Sequence, residues 1–177
     1  MVVLDTYLEK VILDAERIIL DGEYFEGKAL LENVLSYEPG SAKVHNLMGW
    51  LYLYYLLDDV MAEKHLKLAM KFEPEFRAPY LHLVELYTKE LRYDDLEMLL
   101  ESAKNVAGVS NSLIYSRLGM VDESRGNFKR AIDLYKTAMF HSMDNFEIED
   151  LKGNIKRCKV KSRRLRFRFW RFEAKPR

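Results

Sequence analysis

Four consecutive segments of about 34 residues repeat one spacing of small and aromatic residues. In the clearest copy, Gly49 is followed by Tyr52, and Ala62, Ala69 and Pro74 come later. A glycine inside a helix costs about 1 kcal/mol relative to alanine, so its presence indicates a close approach between helices. Proline ends a helix because it has no N–H to donate. Each segment is therefore predicted to fold as two helices joined by a turn. The segments span residues 8–41, 42–76, 77–110 and 112–145.

The same residues resemble the tetratricopeptide repeat (TPR), whose pattern places a Leu-Gly pair three residues before a tyrosine and then two alanines and a proline. Met48-Gly49 matches that pair in the second segment, and Leu118-Gly119 matches it in the fourth. The fourth segment also has Ala131 and Ala138 at the expected positions. The resemblance implies an all-α fold, a right-handed superhelix of about four helix pairs with a C-terminal capping helix.

Three departures from the pattern stand in the second and fourth segments. His45 occupies the position at which the family prefers tryptophan, and Asp122 occupies a position usually held by tyrosine. The turn at residues 56–60 carries about one extra residue. Asp122 is expected to leave a polar group near the core. His45 and His82 lie on the first helices of neighbouring repeats, so an approach between them is one interpretation, but packing or solvent exposure of each histidine is the favoured one.

The last 32 residues differ from the repeats in both pattern and charge. Ile148, Leu151, Ile155 and Cys158 are spaced by three or four residues, which predicts an amphipathic helix that continues to about Phe172. Strict alternation over residues 164–169 favours an extended segment as the alternative. Residues 152–177 carry a net charge of +11, and residues 1–151 carry −11. We therefore predict a TPR domain at residues 1–145, followed by a capping helix and a basic aromatic tail at 146–177.

Composition excludes several classes of function. No run of about 18 apolar residues is present, so no membrane span is expected. The single cysteine, Cys158, excludes an internal disulfide and suits a reducing compartment, and the N-terminus has no basic leader, so a cytoplasmic location is expected. Neither a phosphate-binding glycine loop nor the histidine and cysteine spacing of a metal site occurs. We therefore expect no enzyme, no cofactor and no metal.

The resemblance implies a concave groove lined by the first helix of each repeat, and hence a scaffold that binds a peptide or helix of a partner protein. One TPR subclass captures a C-terminal carboxylate with lysine and asparagine, but Ile12 and Glu16 stand at two of those positions here. The mapped groove is aromatic at its centre and acidic at its flanks, where Glu9 and Glu123 lie, and Ile19 is mapped to it as well. The expected partner is therefore apolar with some positive charge. The predicted peptide-binding residues are Asn46, Trp50, Leu53, Tyr54, Leu81, Glu85 and Met120. The alternative for Trp50 and Tyr54 is packing against other helices.

The basic tail offers a second kind of attachment. Its arginines suit phosphate groups, and the phenylalanines and tryptophan between them suit stacking on bases or entry into a membrane interface. Nucleic acid, an anionic membrane and a second copy of the chain are therefore alternative partners. The tail residues predicted to make these contacts are Arg163, Arg164, Arg166, Arg168 and Arg171.

Overall fold

The computed structural model describes residues 2–173, with side chains from residue 6 to residue 164. Within residues 2–173 the regular structure is nine α-helices and one π-helical turn, with no strand. The elements are α1 (Val2–Leu20), α2 (Tyr24–Tyr37), α3 (Ala42–Leu51), the π turn (Tyr52–Leu56), α4 (Asp59–Phe72), α5 (Arg77–Lys89), α6 (Tyr93–Ala103), α7 (Asn111–Ser124), α8 (Phe128–His141) and α9 (Asn145–Glu173).

The predicted helix pairs are confirmed, since each of the four segments contains two helices joined by a short turn. The chain divides into two compact units, an N-terminal unit of residues 1–99 and a C-terminal unit of residues 100–177. The predicted domain boundary near residue 145 stays a prediction. No helix among the described residues has both the length and the apolar character needed to cross a membrane.

Close helix contacts occur where the repeat pattern places glycine. A Cβ atom added to Gly49 of α3 would lie 2.5 Å from Cγ of Leu66 in α4. A Cβ atom added to Gly119 of α7 would lie 2.8 Å from the ring of Tyr135 in α8. Leu66 and Tyr135 are buried, so neither has free space to move into. The predicted reason for these glycines, close approach of the paired helix, is confirmed.

The extra residue of the second segment lies in the π turn at the end of α3. This turn widens the last part of the first helix, and the backbone N–H of Asp58 then closes it by donating to the carbonyl oxygen of Tyr52 at 3.0 Å. Leu57 follows with φ of 55°, in the left-handed region. The insertion is thus absorbed within the helix end, and the pairing of α3 with α4 is kept.

Leu91 takes the same left-handed conformation after α5, with φ of 57°. The corresponding turns of the first and fourth segments have glycine there, at Gly22 and Gly126. For an L-residue this conformation costs about 1–2 kcal/mol, and Leu91 is 62% exposed, so little packing compensates for it.

Leu91→Gly is expected to stabilise the protein by up to about 1 kcal/mol, because the strain removed exceeds the extra entropy of glycine in the unfolded chain. Urea unfolding followed by circular dichroism measures the change. Leu91→Ala is the matched control, since it removes the same exposed side chain but keeps the Cβ atom. An equal gain from both variants would show that the strain is not the cause.

Helix α9 completes the core of the C-terminal unit. Leu151 and Cys158 of α9 are buried with Ala131, Tyr135 and Ala138 of α8. Burial raises the pKa of the Cys158 thiol to about 11, so the thiol is protonated and packs as an apolar group. The predicted amphipathic helix is confirmed, and its backbone continues to Glu173, which decides against the extended alternative.

A pair of buried histidines joins α3 to α4. Nδ1 of His45 lies 3.0 Å from Nδ1 of His65, and Nε2 of His45 lies 3.1 Å from the carbonyl oxygen of Pro39. Because that oxygen only accepts, Nε2 of His45 donates to it, and His65 then donates to Nδ1 of His45. His45 thus packs against its own pair partner α4, as the favoured interpretation had it, whereas His82 contacts Tyr54.

Asp122 is buried, as its position in the repeat predicted, but its carboxylate is satisfied. Nδ2 of Asn127 donates to one oxygen at 3.0 Å, and Nε of Arg130 donates to the other at 3.1 Å. The departure from tyrosine therefore fixes the turn between α7 and α8.

Candidate functional site

The first helices of three successive pairs in the N-terminal unit present side chains to one surface, which we call the first-helix surface and which includes Glu9, Lys43, Tyr54 and Glu85. An ion pair of 3.1 Å between Lys43 and Glu9 joins α3 to α1. The hydroxyl of Tyr54, in the π turn, donates to Oε2 of Glu85 in α5 at 2.6 Å. The first helices of three successive pairs are thus linked side by side.

A cavity of about 340 Å³ opens between these elements, and we call it the first-helix cavity. Its volume lies within the range of about 300–1,000 Å³ that is typical of ligand sites. Two carboxylates, one amine and one amide supply its polar groups, and aliphatic and aromatic side chains form the rest of its wall. It is lined by Glu9, Ile12, Leu13 and Glu16 of α1, by Lys43, Asn46 and Leu47 of α3, and by Phe76 at the start of α5.

The side chain of Asn46 in this cavity is unsatisfied. Asn46 is 8% exposed, and its Oδ1 atom is buried without a hydrogen-bond partner. Leaving a buried polar group unpaired costs about 1–3 kcal/mol, so such groups are rare in folded proteins. Oδ1 is itself covered by the protein, so the cavity meets other atoms of Asn46.

The two carboxylates of the cavity differ in their contacts. Glu9 forms the ion pair with Lys43, whereas Glu16 is half-buried and has no hydrogen bond or ion pair with any residue of the described part of the chain. Among the described residues that line the cavity, the carboxylate of Glu16 is therefore an acceptor that a ligand could reach.

A second polar group on the first-helix surface consists of Tyr54, His82 and Glu85. The Tyr54 hydroxyl lies 3.3 Å from Nδ1 of His82 in addition to its bond with Glu85. Burial and the bond to Glu85 raise the pKa of Tyr54, and burial lowers the pKa of His82 although Glu85 opposes that shift. At neutral pH the tyrosine is thus protonated and the histidine is neutral, which makes this group a fixed hydrogen-bonded link between α3 and α5.

Metal binding has no support in the described residues, which contain no group of three or more histidine, cysteine, aspartate or glutamate side chains able to hold an ion.

Solved structures share this arrangement of paired helices. PilF of Pseudomonas aeruginosa is 16% identical, with a TM-score of 0.68 over 90% of this chain and 73% of its own. MamA is 16% identical, with a TM-score of 0.67 over 88% of each chain. Yeast Tom70 is 16% identical, with a TM-score of 0.73 over 88% of this chain and 34% of its own. All three are TPR-containing proteins. The chain has the tetratricopeptide-repeat fold. No protein-family model matches the sequence, and no curated protein is similar to it.

The TPR fold places the predicted peptide-binding residues in different surroundings. Asn46 lies in the first-helix cavity, and Tyr54 and Glu85 lie together on the first-helix surface. Trp50 is half-buried, with its ring edge-on to Tyr55 at 4.9 Å. Leu53 is 4% exposed, so its apolar surface is already covered by the protein.

The other predicted residues lie elsewhere or only partly within the described region. Leu81 of α5 is half-buried, and so is Met120, which belongs to the C-terminal unit. Arg163 and Arg164 are exposed on α9. The side chains of Arg166, Arg168 and Arg171 lie outside the described residues.

Besides Leu53, two residues mapped to the groove by their repeat position are not on an open surface. Ile19 is fully buried, and Glu123 of α7 is buried against α9. Repeat position predicts an open face on every first helix, but α9 covers the part of α7 that contains Glu123. The signal that was missed is the pair Arg157 and Lys161, which lie four residues apart on one face of α9 and both bind Glu123.

Proposed function

We propose that this protein is a non-enzymatic scaffold that binds a peptide or helix of a partner protein on the first-helix surface. The cavity between α1, α3 and the start of α5, lined by apolar side chains and the carboxylate of Glu16, carries the proposal. The apolar lining of that cavity gives a partner surface to bury, and the charged side chains of Glu9, Glu16 and Lys43 give the partner an orientation. A cytoplasmic setting, which the single cysteine favours, is part of the same proposal.

Leu13→Arg is expected to remove partner capture by the full-length chain. Leu13 is 65% exposed in α1 and lines the cavity, so a long charged side chain there occupies the site without disturbing the core. Leu20→Arg is the matched control, because Leu20 is 62% exposed in the same helix and does not line the cavity. Affinity capture with quantitative mass spectrometry compares the two variants with the wild type.

A partner set that both variants recover equally well would contradict the proposal. Equal melting temperatures of the two variants, measured by circular dichroism, ensure that a loss of capture is not a loss of folding.

Attachment through the basic tail is a second proposal, to nucleic acid, an anionic membrane or another copy of the chain. Exposed Arg163 and Arg164, without partners among the described residues, support it, as does the +11 charge of residues 152–177. Lys161 binds Glu123, so a chain that ends at Ser162 keeps this contact and lacks only the rest of the tail. Binding that is lost on this truncation belongs to the tail, and binding that is kept belongs to the first-helix surface.

A further inference from the structure

We propose that two copies of this protein dimerise through the outer face of α9, with the two helices antiparallel. The outer face is defined by Phe146, Gly153 and Val160, which are exposed and spaced by seven residues, close to two helical turns. This row lies on the side of α9 opposite the buried Leu151 and Cys158. The inference rests on the second proposal above, from which it selects the second copy as partner, and it is independent of the first-helix surface.

Gly153 is a glycine inside a helix that has no explanation within its own chain. Glycine at such a position costs about 1 kcal/mol relative to alanine. Gly49 and Gly119 permit close contact with the paired helix, since an added Cβ atom would lie 2.5 Å and 2.8 Å from its side chains. Nothing lies within 4 Å of a Cβ atom added to Gly153. The close approach that Gly153 permits is therefore open to a helix of another molecule.

The outer face also exposes apolar side chains that a second helix would cover. Phe146 is 85% exposed and Val160 is 43% exposed. Phe140 and Met143, just before α9, are exposed as well and extend the apolar surface at this end. Phe167 continues the row by its position in the sequence, and its side chain lies outside the described residues. Burial of such groups between two copies is a favourable contribution to association.

The charges along α9 select an antiparallel arrangement. Residues 145–150 contain three acids and no base, and residues 152–171 contain ten lysines and arginines and no acid. Two parallel copies would bring like charges together, whereas two antiparallel copies bring each acidic end against a basic part. The two ends of one α9 cannot meet, because the helix runs from Asn145 to Glu173 over about 42 Å. The acidic end therefore meets the basic part of a second copy.

One register of the two helices uses both the glycine and the charges. Gly153 lies opposite Val160 of the second copy, and the two-fold axis repeats every contact. Lys156 near the axis is the like charge that this register brings together, and it is exposed and can turn towards solvent. The residues of opposite charge that face each other are Glu149 and Arg164, and Asp150 and Arg163.

These charged groups are available for a second copy. Asp150, Arg163 and Arg164 are exposed and have no ion pair within the described part of the chain. Glu149 has only its exposed pair with Lys152. One dimer therefore brings four acids against four arginines, and electrostatic complementarity of this kind fixes the register of an interface.

Sedimentation velocity of the full-length chain over a range of concentrations tests the inference. We expect a reversible equilibrium of monomer and dimer, and we expect Gly153→Leu to weaken dimerisation at least about tenfold, because the added side chain keeps the helices apart. Lys159→Leu is the matched control, since Lys159 is exposed on α9 about 120° around the helix from Gly153 and is expected not to weaken the dimer. Urea unfolding of the monomers checks that the fold is kept.

An exchange of charges provides a second test, in which association is restored. One variant carries Glu149→Arg and Asp150→Arg, and the other carries Arg163→Glu and Arg164→Glu. Each variant alone places like charges opposite each other and is expected to stay monomeric. An equimolar mixture is expected to form a heterodimer, because every facing pair again has opposite charges. Sedimentation of the mixture and of each variant gives the comparison.

Three outcomes would overturn the inference. A full-length chain that stays monomeric at millimolar concentration has no such interface. A dimer that Gly153→Leu leaves unchanged has its interface elsewhere, and so does a wild-type dimer whose charge-exchanged variants fail to associate when mixed. Binding of a monomeric chain to nucleic acid or anionic vesicles would favour the other attachments of the tail. The scaffold proposal is decided separately, by the comparison of Leu13→Arg with Leu20→Arg.

Discussion

Glu123→Gln is expected to destabilise the C-terminal unit by about 2–4 kcal/mol. Glu123 is buried, and Arg157 binds both of its carboxylate oxygens at 2.7 Å, through Nε and Nη2. Lys161 donates to Oε1 at 2.8 Å, and the buried hydroxyl of Tyr135 donates to Oε2 at 3.0 Å. Glutamine keeps the volume but turns an NH₂ group towards these donors, so α7, α8 and α9 lose their shared acceptor.

The same substitution changes the dependence of stability on pH. Burial alone would raise the pKa of Glu123, but hydrogen bonds from Arg157, Lys161 and Tyr135 outweigh it and lower the pKa to about 2. Because the unfolded carboxyl titrates near 4.5, this stabilisation is complete above pH 4.5 and is lost as the pH falls towards 2. The size of the shift corresponds to about 3 kcal/mol.

Urea unfolding at pH 7 measures the loss, and hydrogen exchange shows whether the amides of α9 become less protected. Glu149→Gln is the matched control, because Glu149 pairs with Lys152 at 2.6 Å on the exposed side of α9. Such an exposed pair contributes about 0–1 kcal/mol. If the two variants unfolded alike, Glu123 would not be the residue that holds α9 in place.

Gly49→Leu is expected to destabilise the N-terminal unit by about 1–3 kcal/mol, although leucine is the better helix former. Even the first added carbon would lie 2.5 Å from Cγ and 2.7 Å from Cδ2 of Leu66. Leu66 is fully buried, so α3 and α4 must separate or distort to admit the new side chain.

Gly153→Leu is expected to have the opposite effect on stability. Gly153 lies within α9 and nothing stands within 4 Å of the place of its added Cβ atom, so leucine is expected to stabilise by up to about 1 kcal/mol. Thermal and urea unfolding of the two variants give the comparison. A wild-type stability for Gly49→Leu would mean that α3 and α4 are not in the close contact seen in the structure.

The helix pairs were predictable because the residues that specify them lie within each segment and recur at the same spacing. Gly49 and Gly119 mark close contacts with the paired helix, and Gly22 and Gly126 mark the turn after a first helix. Each of these roles depends on one residue and its spacing, which the sequence displays directly. Leu57 and Leu91 were not recognised as left-handed residues, because nothing in their chemistry indicates that conformation.

The candidate site was predictable only in outline. The repeat position of Asn46 and Tyr54 indicates a side of the helix, but not whether the side chain finds a partner there. Tyr54 binds Glu85, whereas Oδ1 of Asn46 has no hydrogen-bond partner among the described residues, and this difference depends on which side chains α1 and α5 bring close. Glu123 was misplaced for a related reason, because the repeat pattern contains no information about where α9 packs.

Two histidines of the N-terminal unit, His65 and His82, take up protons less readily in the folded protein than in the unfolded chain. Burial, together with the neighbouring His45 ring, lowers the pKa of His65 from 6.5 to about 4. Between these two values the unfolded chain takes up a proton that the folded chain excludes, so each step towards acid favours unfolding. His82, whose pKa burial also lowers, acts in the same direction. As the pH falls below neutral, the folded protein is therefore destabilised first through the side chains of His65 and His82 in the N-terminal unit. The carboxylate of Glu123 loses its charge in the folded chain only at a lower pH.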